Sequence, residues 1–174
     1  MSLFTKDGEL NDAMFSSEKQ DHQTPDDFFE VLNKEFEFTI DAAATSENAK
    51  CAKFYTPEQN SLSFLWGSSG ETVFCNPPYK NVAEWMKQGY ESSVKNSCIV
   101  VMLVPSRTDT KWFHDYASRG VIRFVVGRLK FKGTESSAPF PSMLVIFNPA
   151  IEKALGLAPD NMIAACYDWK SKNV

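Results

Sequence analysis

Apolar residues recur at helical spacing over residues 25–36, where Phe28, Phe29, Leu32 and Phe36 fall on one face. Thr24 offers an N-cap, Pro25 suits a first helical turn, and Asp26 and Asp27 put negative charge near the positive end of a helix dipole, so a helix is predicted to begin here. Runs rich in β-branched and aromatic residues predict strands at 38–40, 72–75, 97–104, 121–126 and 143–147. From Ile99 to Val104 every position is apolar, as in a central strand covered on both faces. Helical stretches are predicted at 82–93 and 110–118. Strand and helix thus alternate, which implies an α/β fold with a mostly parallel sheet flanked by helices. Residues 1–20 carry little periodicity and are expected to be a flexible arm before a single domain over 21–174. The stretch 133–141, with Gly133, Pro139 and Pro141, reads as a loop long enough to suggest a binding role. Beyond Pro149 only a short amphipathic piece is recognisable.

A chain of 174 residues that is 43% hydrophobic can bury a single-domain core. No apolar run approaches the roughly 18 residues of a membrane span. The polar N-terminus lacks the basic start and apolar stretch of a secretory signal, so a cytoplasmic protein with reduced thiols is expected. Cys51, Cys75, Cys98 and Cys166 form neither a CxxC knuckle nor a disulfide framework and are expected in the core. His22 and His114 are not spaced as a metal pair, and no metal is expected. Trp66, Trp85, Trp112 and Trp169 read as packing residues. Net charge is −4, yet residues 119–132 hold Arg119, Arg123, Arg128, Lys130 and Lys132 without one acid. Such a stripe fits phosphate contact or a charged strand edge. Phe131 within it either stacks beside a nucleotide or belongs to the core. Arg107 follows the 97–104 strand and suits either a phosphate contact or a helix-capping salt bridge.

One segment carries chemistry. The strand 72–75 runs directly into Asn76-Pro77-Pro78-Tyr79. In open α/β sheets ligands gather at the carboxyl ends of strands, so these four residues fall where sites form. Consecutive prolines have fixed φ and no N–H, so the loop presents rigid acceptors. Rigid acceptors beside an aromatic ring suit a planar amino group such as N6 of adenine. Two hydrogen bonds, to the Asn76 side-chain oxygen and the Pro77 carbonyl, would let that nitrogen pyramidalise and aim its lone pair at an electrophile. Tyr79 would stack on the base, a contact worth about 1–3 kcal/mol that helps to hold a nucleotide rotated out of its duplex.

Asn76-Pro77-Pro78-Tyr79 resembles the signature of S-adenosylmethionine-dependent amino methyltransferases. The ordered pieces Thr24-Pro25-Asp26-Asp27-Phe28-Phe29, Ile40-Asp41-Ala42-Ala43-Ala44, Phe74 to Tyr79, Val104 to Phe113, Gly127-Arg128-Leu129-Lys130-Phe131 and Pro139 to Met143 resemble the phage-type DNA N6-adenine methyltransferase family over about residues 22 to 148. The resemblance implies a reduced Rossmann-like methyltransferase fold, a phage or prophage setting linked to restriction–modification, and double-stranded DNA as partner. It implies that Asn76, Pro77 and Tyr79 act on the target amine while Pro78 shapes the loop. Thr24 and Pro25 would lie near the methionine end of the cofactor, although both also suit a plain helix cap. Asp41 would approach the cofactor at its ribose hydroxyls or its ammonium group. The sequence contains no Gly-x-Gly, so Ala42, Ala43 and Ala44 would give the close backbone approach that glycines usually provide, with Asn48 as a nearby polar contact. About 50 residues separate Thr24 from Asn76, too few for three strand–helix units, so the sheet should be reduced on that side. Arg107, Arg128, Lys130, Phe131 and Lys132 are the candidates for DNA contact. The tetrapeptide reads an amino group and not a polymer, which leaves RNA or a protein glutamine as alternative acceptors. A non-catalytic DNA-binding module is a further alternative.

Overall fold

The structure is a computed structural model and describes residues 22–155 and 162–172; the arm expected at 1–20 lies outside the described residues. Among the described residues seven strands form one sheet: β1 (Ile40–Asp41), β2 (Lys53–Phe54), β3 (Thr72–Cys75), β4 (Ile99–Pro105), β5 (Val121–Val125), β6 (Ser142–Phe147) and β7 (Ile163–Tyr167). Their spatial order is β2-β1-β3-β4-β6-β5-β7. Pairings among β2, β1, β3 and β4 are parallel, β6 runs antiparallel to both its neighbours, and β5 pairs parallel with β7. Among the described residues four α-helices accompany the sheet: α1 (Asp26–Phe36), α2 (Val82–Asn96), α3 (Lys111–Asp115) and α4 (Pro149–Leu155). The expected mostly parallel α/β sheet is present, and its reduction falls on β1 and β2, each two residues long.

The two faces of the sheet separate cleanly along the strands. In β4, Val100, Met102 and Val104 join a core with Trp85 and Met86 of α2 and Phe113 of α3, while Val101 and Leu103 join an opposite core with Phe28, Phe29 and Leu32 of α1. The same alternation divides Met143, Val145 and Phe147 of β6 from Leu144 and Ile146. This is the period-two consequence of the pleat, and it explains why residues 99–104 are apolar throughout. Each fully buried Leu, Val or Phe contributes about 1.5–3 kcal/mol over leaving it exposed. Close packing on the α2 side requires Gly89, where an added Cβ would meet Met102 Sδ at 2.6 Å.

Several elements differ from expectation for identifiable reasons. Glu37 adopts a left-handed conformation (φ 51°) and its N–H bonds to Asn33 O, which ends α1. Phe38 then packs against the rings of Phe29, Phe36 and Phe74, so strand pairing is delayed to Ile40. The strands β2 and β7 were not anticipated: two residues cannot display alternation, and Ala164, Ala165 and Cys166 of β7 are exposed. Cys166 is thereby corrected from core to surface, and Cys51 is half-buried, whereas Cys75 and Cys98 are buried as expected. No helix among the described residues is long and apolar enough to cross a membrane.

Candidate active site

Parallel pairing of β1 with β3 sets Asp41 opposite Phe74, so the residues after both strands emerge at one end of the sheet. There they wall a cleft of about 330 Å³, within the size range of small-molecule sites. Among the residues expected from sequence, Thr24, Asp41, Ala43, Asn48, Asn76, Pro77 and Pro78 line it. Sequence reasoning missed Lys50, Tyr55, Thr56, Asn60, Ser61 and Leu62, which come from the stretch 50–62 that flanks β2 and carries the short 3-10 turns after it, and had read Trp85 as packing alone. The missed segment is polar, irregular and without periodicity, so it carried no signal.

The wall beneath β1 is organised by a buried carboxylate. Asp41 is 3% exposed, its Oδ2 accepting from Lys50 N at 3.0 Å and its Oδ1 from Ala43 N at 3.3 Å. Burial raises the Asp41 pKa above its ordinary value, and these two backbone donors oppose that shift. Asp41 thus ties together both ends of the loop it precedes. Within the loop Asn48 Oδ1 accepts from Thr45 N at 2.7 Å, and Ala44 N donates to Tyr55 O at 3.1 Å. Ala42 donates to Phe74 O and is 0% exposed in the α2-side core. It is therefore corrected from a lining residue to a core residue; only Ala43 and Ala44 reach the cleft.

Across the cleft, β3 delivers Asn76. Its Nδ2 donates to His22 O at 2.6 Å and to Thr24 Oγ1 at 3.0 Å, while its Oδ1 accepts from the Tyr79 hydroxyl at 3.0 Å. Thr24 is 3% exposed and is not the N-cap of α1. That position belongs to Pro25, which has no side-chain capping bond and does not line the cleft. Tyr79 also lies outside the lining. Its ring stacks on His22 at 5.1 Å and 26°, with Phe131 and Phe140 meeting it edge-on. A base could take that face of Tyr79 only by moving the imidazole. Burial raises the Tyr79 phenol well above its ordinary value, which keeps it a hydroxyl donor to Asn76.

The basic stripe divides. Arg119 donates to Asp115 O and lies over Tyr90, and Arg123 pairs with Glu35 at 2.6 Å between the rings of Phe36 and Tyr167. Both serve packing. From Arg128 to Lys132 the extended chain alternates: Arg128, Lys130 and Lys132 are exposed, while Leu129 and Phe131 are 2% and 1% exposed. Of the two readings open for Phe131, stacking beside a nucleotide or belonging to the core, the structure shows the core, and Phe131 is corrected from a candidate DNA contact to a core ring. Lys132 is held by Asp26, which also pairs with Lys50; the bonds from Lys132 and Lys50 lower the Asp26 pKa. Lys132 N donates to Gln23 O at 2.9 Å, so the stripe lies beside residues 22–24. Arg107 is exposed, two residues beyond β4, and does not line the cleft. Among the described residues no group of three or more His, Cys, Asp or Glu is placed to hold a metal ion.

A family model described as DNA N-6-adenine-methyltransferase (Dam) matches residues 12–167. The chain is 33% identical over 120 residues to the DNA N-6-adenine-methyltransferase of Haemophilus phage HP1 (strain HP1c1), covering 64% of this chain and 68% of that protein. It is 40% identical over 76 residues to the enzyme of the same name from Escherichia phage T1, covering 44% of this chain and 31% of the phage protein. A putative methyltransferase, YfdM, of Escherichia coli (strain K12) is 39% identical over 62 residues, 33% of this chain and 68% of its own length. The family match spans all the elements that build the cleft, and the chain belongs to the Dam family of DNA N-6-adenine-methyltransferases.

Proposed function

We propose that this protein transfers a methyl group from S-adenosylmethionine to N6 of an adenine rotated out of double-stranded DNA, with Asn76 and Pro77 receiving the amino group. The observation that carries this reading is the adjacency of Asn76-Pro77-Pro78 to a cleft walled by Asp41, Ala43, Ala44 and Asn48 at one end of the sheet. Small side chains at positions 43 and 44 allow close approach to backbone, and the mixture of carboxylate, amides and the rings of Tyr55 and Trp85 matches a ligand with a nucleoside end and an amino-acid end. S-adenosylmethionine supplies a methyl carbon already activated by its sulfonium charge.

The rest of the chemistry falls to the chain. Asn76 Oδ1 and the Pro77 carbonyl would accept the two N–H bonds of the adenine amine and so free its lone pair from the ring for the methyl carbon that bound S-adenosylmethionine would supply, with the sulfur leaving as the neutral thioether. The methylated nitrogen then loses a proton to water, so no strong base is needed. Pro77 and Pro78 hold the loop stiff. Arg128, Lys130 and Lys132 give a cationic rim for phosphates, and Arg107 is a more distant candidate at the same sheet edge. With a net charge of −4, affinity for DNA depends on this local rim and falls steeply with salt.

The test uses tritiated cofactor and unmethylated DNA. Wild-type protein is expected to label DNA at adenine N6. Asn76→Ala should lose at least about 100-fold in rate, the scale of a removed transition-state hydrogen bond, while keeping its thermal stabilisation by the cofactor. Undiminished labelling by the variant would refute the role of Asn76.

A further inference from the structure

A side-chain amide has an acceptor end and a donor end of nearly equal size, so a catalytic asparagine works only if something decides which end faces the substrate. In this chain the decision is made by residues 22–24. Asn76 Nδ2 carries two hydrogens and meets two oxygens, His22 O at 2.6 Å and Thr24 Oγ1 at 3.0 Å. Its donor capacity is therefore filled. The His22 carbonyl can only accept, so rotating the amide by half a turn would set two acceptors against each other at that distance. On the other side the Tyr79 hydroxyl, 3.0 Å from Oδ1, donates to one lone pair and leaves a second. The His22 carbonyl therefore sets the orientation, and the Thr24 and Tyr79 hydroxyls, each able to donate or accept, complete the bonds that this orientation offers.

We propose that Thr24 is a positioning residue for the acceptor amide of Asn76, acting with the His22 carbonyl to fix Oδ1 toward the target amine. This rests on the proposed amino-group methylation and adds to it the device that orients the acceptor. Donation from Nδ2 also shifts amide electron density onto Oδ1, which strengthens the bond to an amine gaining positive charge. The segment is held at both ends: Thr24 leads directly into α1 through Pro25, and Gln23 accepts from Lys132 N at 2.9 Å. Thr24 is 3% exposed, so its hydroxyl is held where water competes little.

Thr24 also borders the cleft, and the helix-cap and cofactor roles suggested by sequence make different predictions from positioning. Thr24→Val keeps the shape and removes the hydroxyl; Thr24→Ser keeps the hydroxyl and removes the methyl. The full chain of each is to be compared with wild type by single-turnover methyl transfer, cofactor titration calorimetry and thermal unfolding. Positioning predicts that Thr24→Val lowers the transfer rate at saturating cofactor and DNA by about tenfold, with cofactor Kd within twofold of wild type. Thr24→Ser should recover most of the lost rate. An unchanged rate in Thr24→Val, or a loss confined to cofactor Kd, would overturn the proposal, as would a Thr24→Ser variant as slow as Thr24→Val. If Thr24→Val does not fold, the comparison of Thr24→Ser with Thr24→Ala decides by the same criteria. Failure of wild type to methylate DNA would instead defeat the parent reading, and this proposal with it.

Discussion

The two sides of Asn76 are built on opposite principles. Toward β1 the cleft is tied down from within: the Asp41 carboxylate holds two backbone amides, Asn48 holds a third, and Tyr55 O a fourth. Toward Phe131 the site is backed by rings, with His22 lying among Tyr79, Phe131 and Phe140, and Lys132 outside them is held by an exposed ion pair with Asp26. Buried hydrogen bonds resist displacement because each broken one strands a polar group, whereas ring contacts can slide and exchange. The first side suits a ligand received into a fixed shape; the second suits a substrate that must insert itself.

That contrast can be broken experimentally, beginning with its strongest element. Asp41→Ala strands the amides of Ala43 and Lys50, each at about 1–3 kcal/mol if water does not reach them. A loss of more than about tenfold in cofactor affinity is expected by calorimetry, together with a lower Tm and unchanged DNA affinity. Cofactor binding at wild-type strength would show that the loop needs no carboxylate.

On the opposite side, Arg128→Ala combined with Lys130→Ala should weaken DNA binding and flatten the plot of log affinity against log salt by about two units, one for each lost phosphate contact. Cofactor affinity should stay the same. A slope equal to that of wild type would move the DNA path elsewhere. Tyr79→Phe tests the join between the two sides by removing only the hydroxyl bonded to Asn76 Oδ1. A two- to tenfold fall in transfer rate is expected, corresponding to about 0.5–1.5 kcal/mol, with little change in DNA affinity because the ring remains.

The smallest effect belongs to Asp26, which links both sides through Lys132 and Lys50. Its native pKa lies below the ordinary 3.8, with the bond from Lys132 the largest cause. A lowered carboxylate pKa means that the contribution is complete above the unfolded value and is lost as pH falls through the native one. Asp26→Asn should therefore lower stability by no more than about 1 kcal/mol at neutral pH, since the pair is exposed. In urea titrations the difference should disappear in strong acid; a difference that grew there would reverse the assigned sign.

Much of the architecture was legible because its signals are local. Thr72 to Cys75 has the strand bounds expected of it, and α1 and α2 appear with the expected starts to within a residue. The ordered motifs carried the family, and the family carried the chemistry. What escaped was of another kind. Thr24 reads as a helix cap from its neighbours, yet its hydroxyl meets a residue 52 positions away. Phe131 sits in a basic run but turns inward because alternation in extended chain leaves it no other side. Tyr55, Thr56 and Asn60 enter the cleft because β2 docks beside β1, a pairing of two residues that leaves no trace in hydropathy.

Composition, periodicity and the order of motifs were sufficient to settle a mixed α/β sheet, the strand that ends in Asn76, and the identity of the polar groups available at its tip. They act through neighbouring residues, and a linear pattern reports neighbours well. Which way the Asn76 amide points, which cations are already paired, and which ring covers Tyr79 were decided only when distant segments met. Hydrogen bonds and ion pairs depend on distance in space, and their partners here lie up to 109 positions apart in the chain, as Gln23 and Lys132 do.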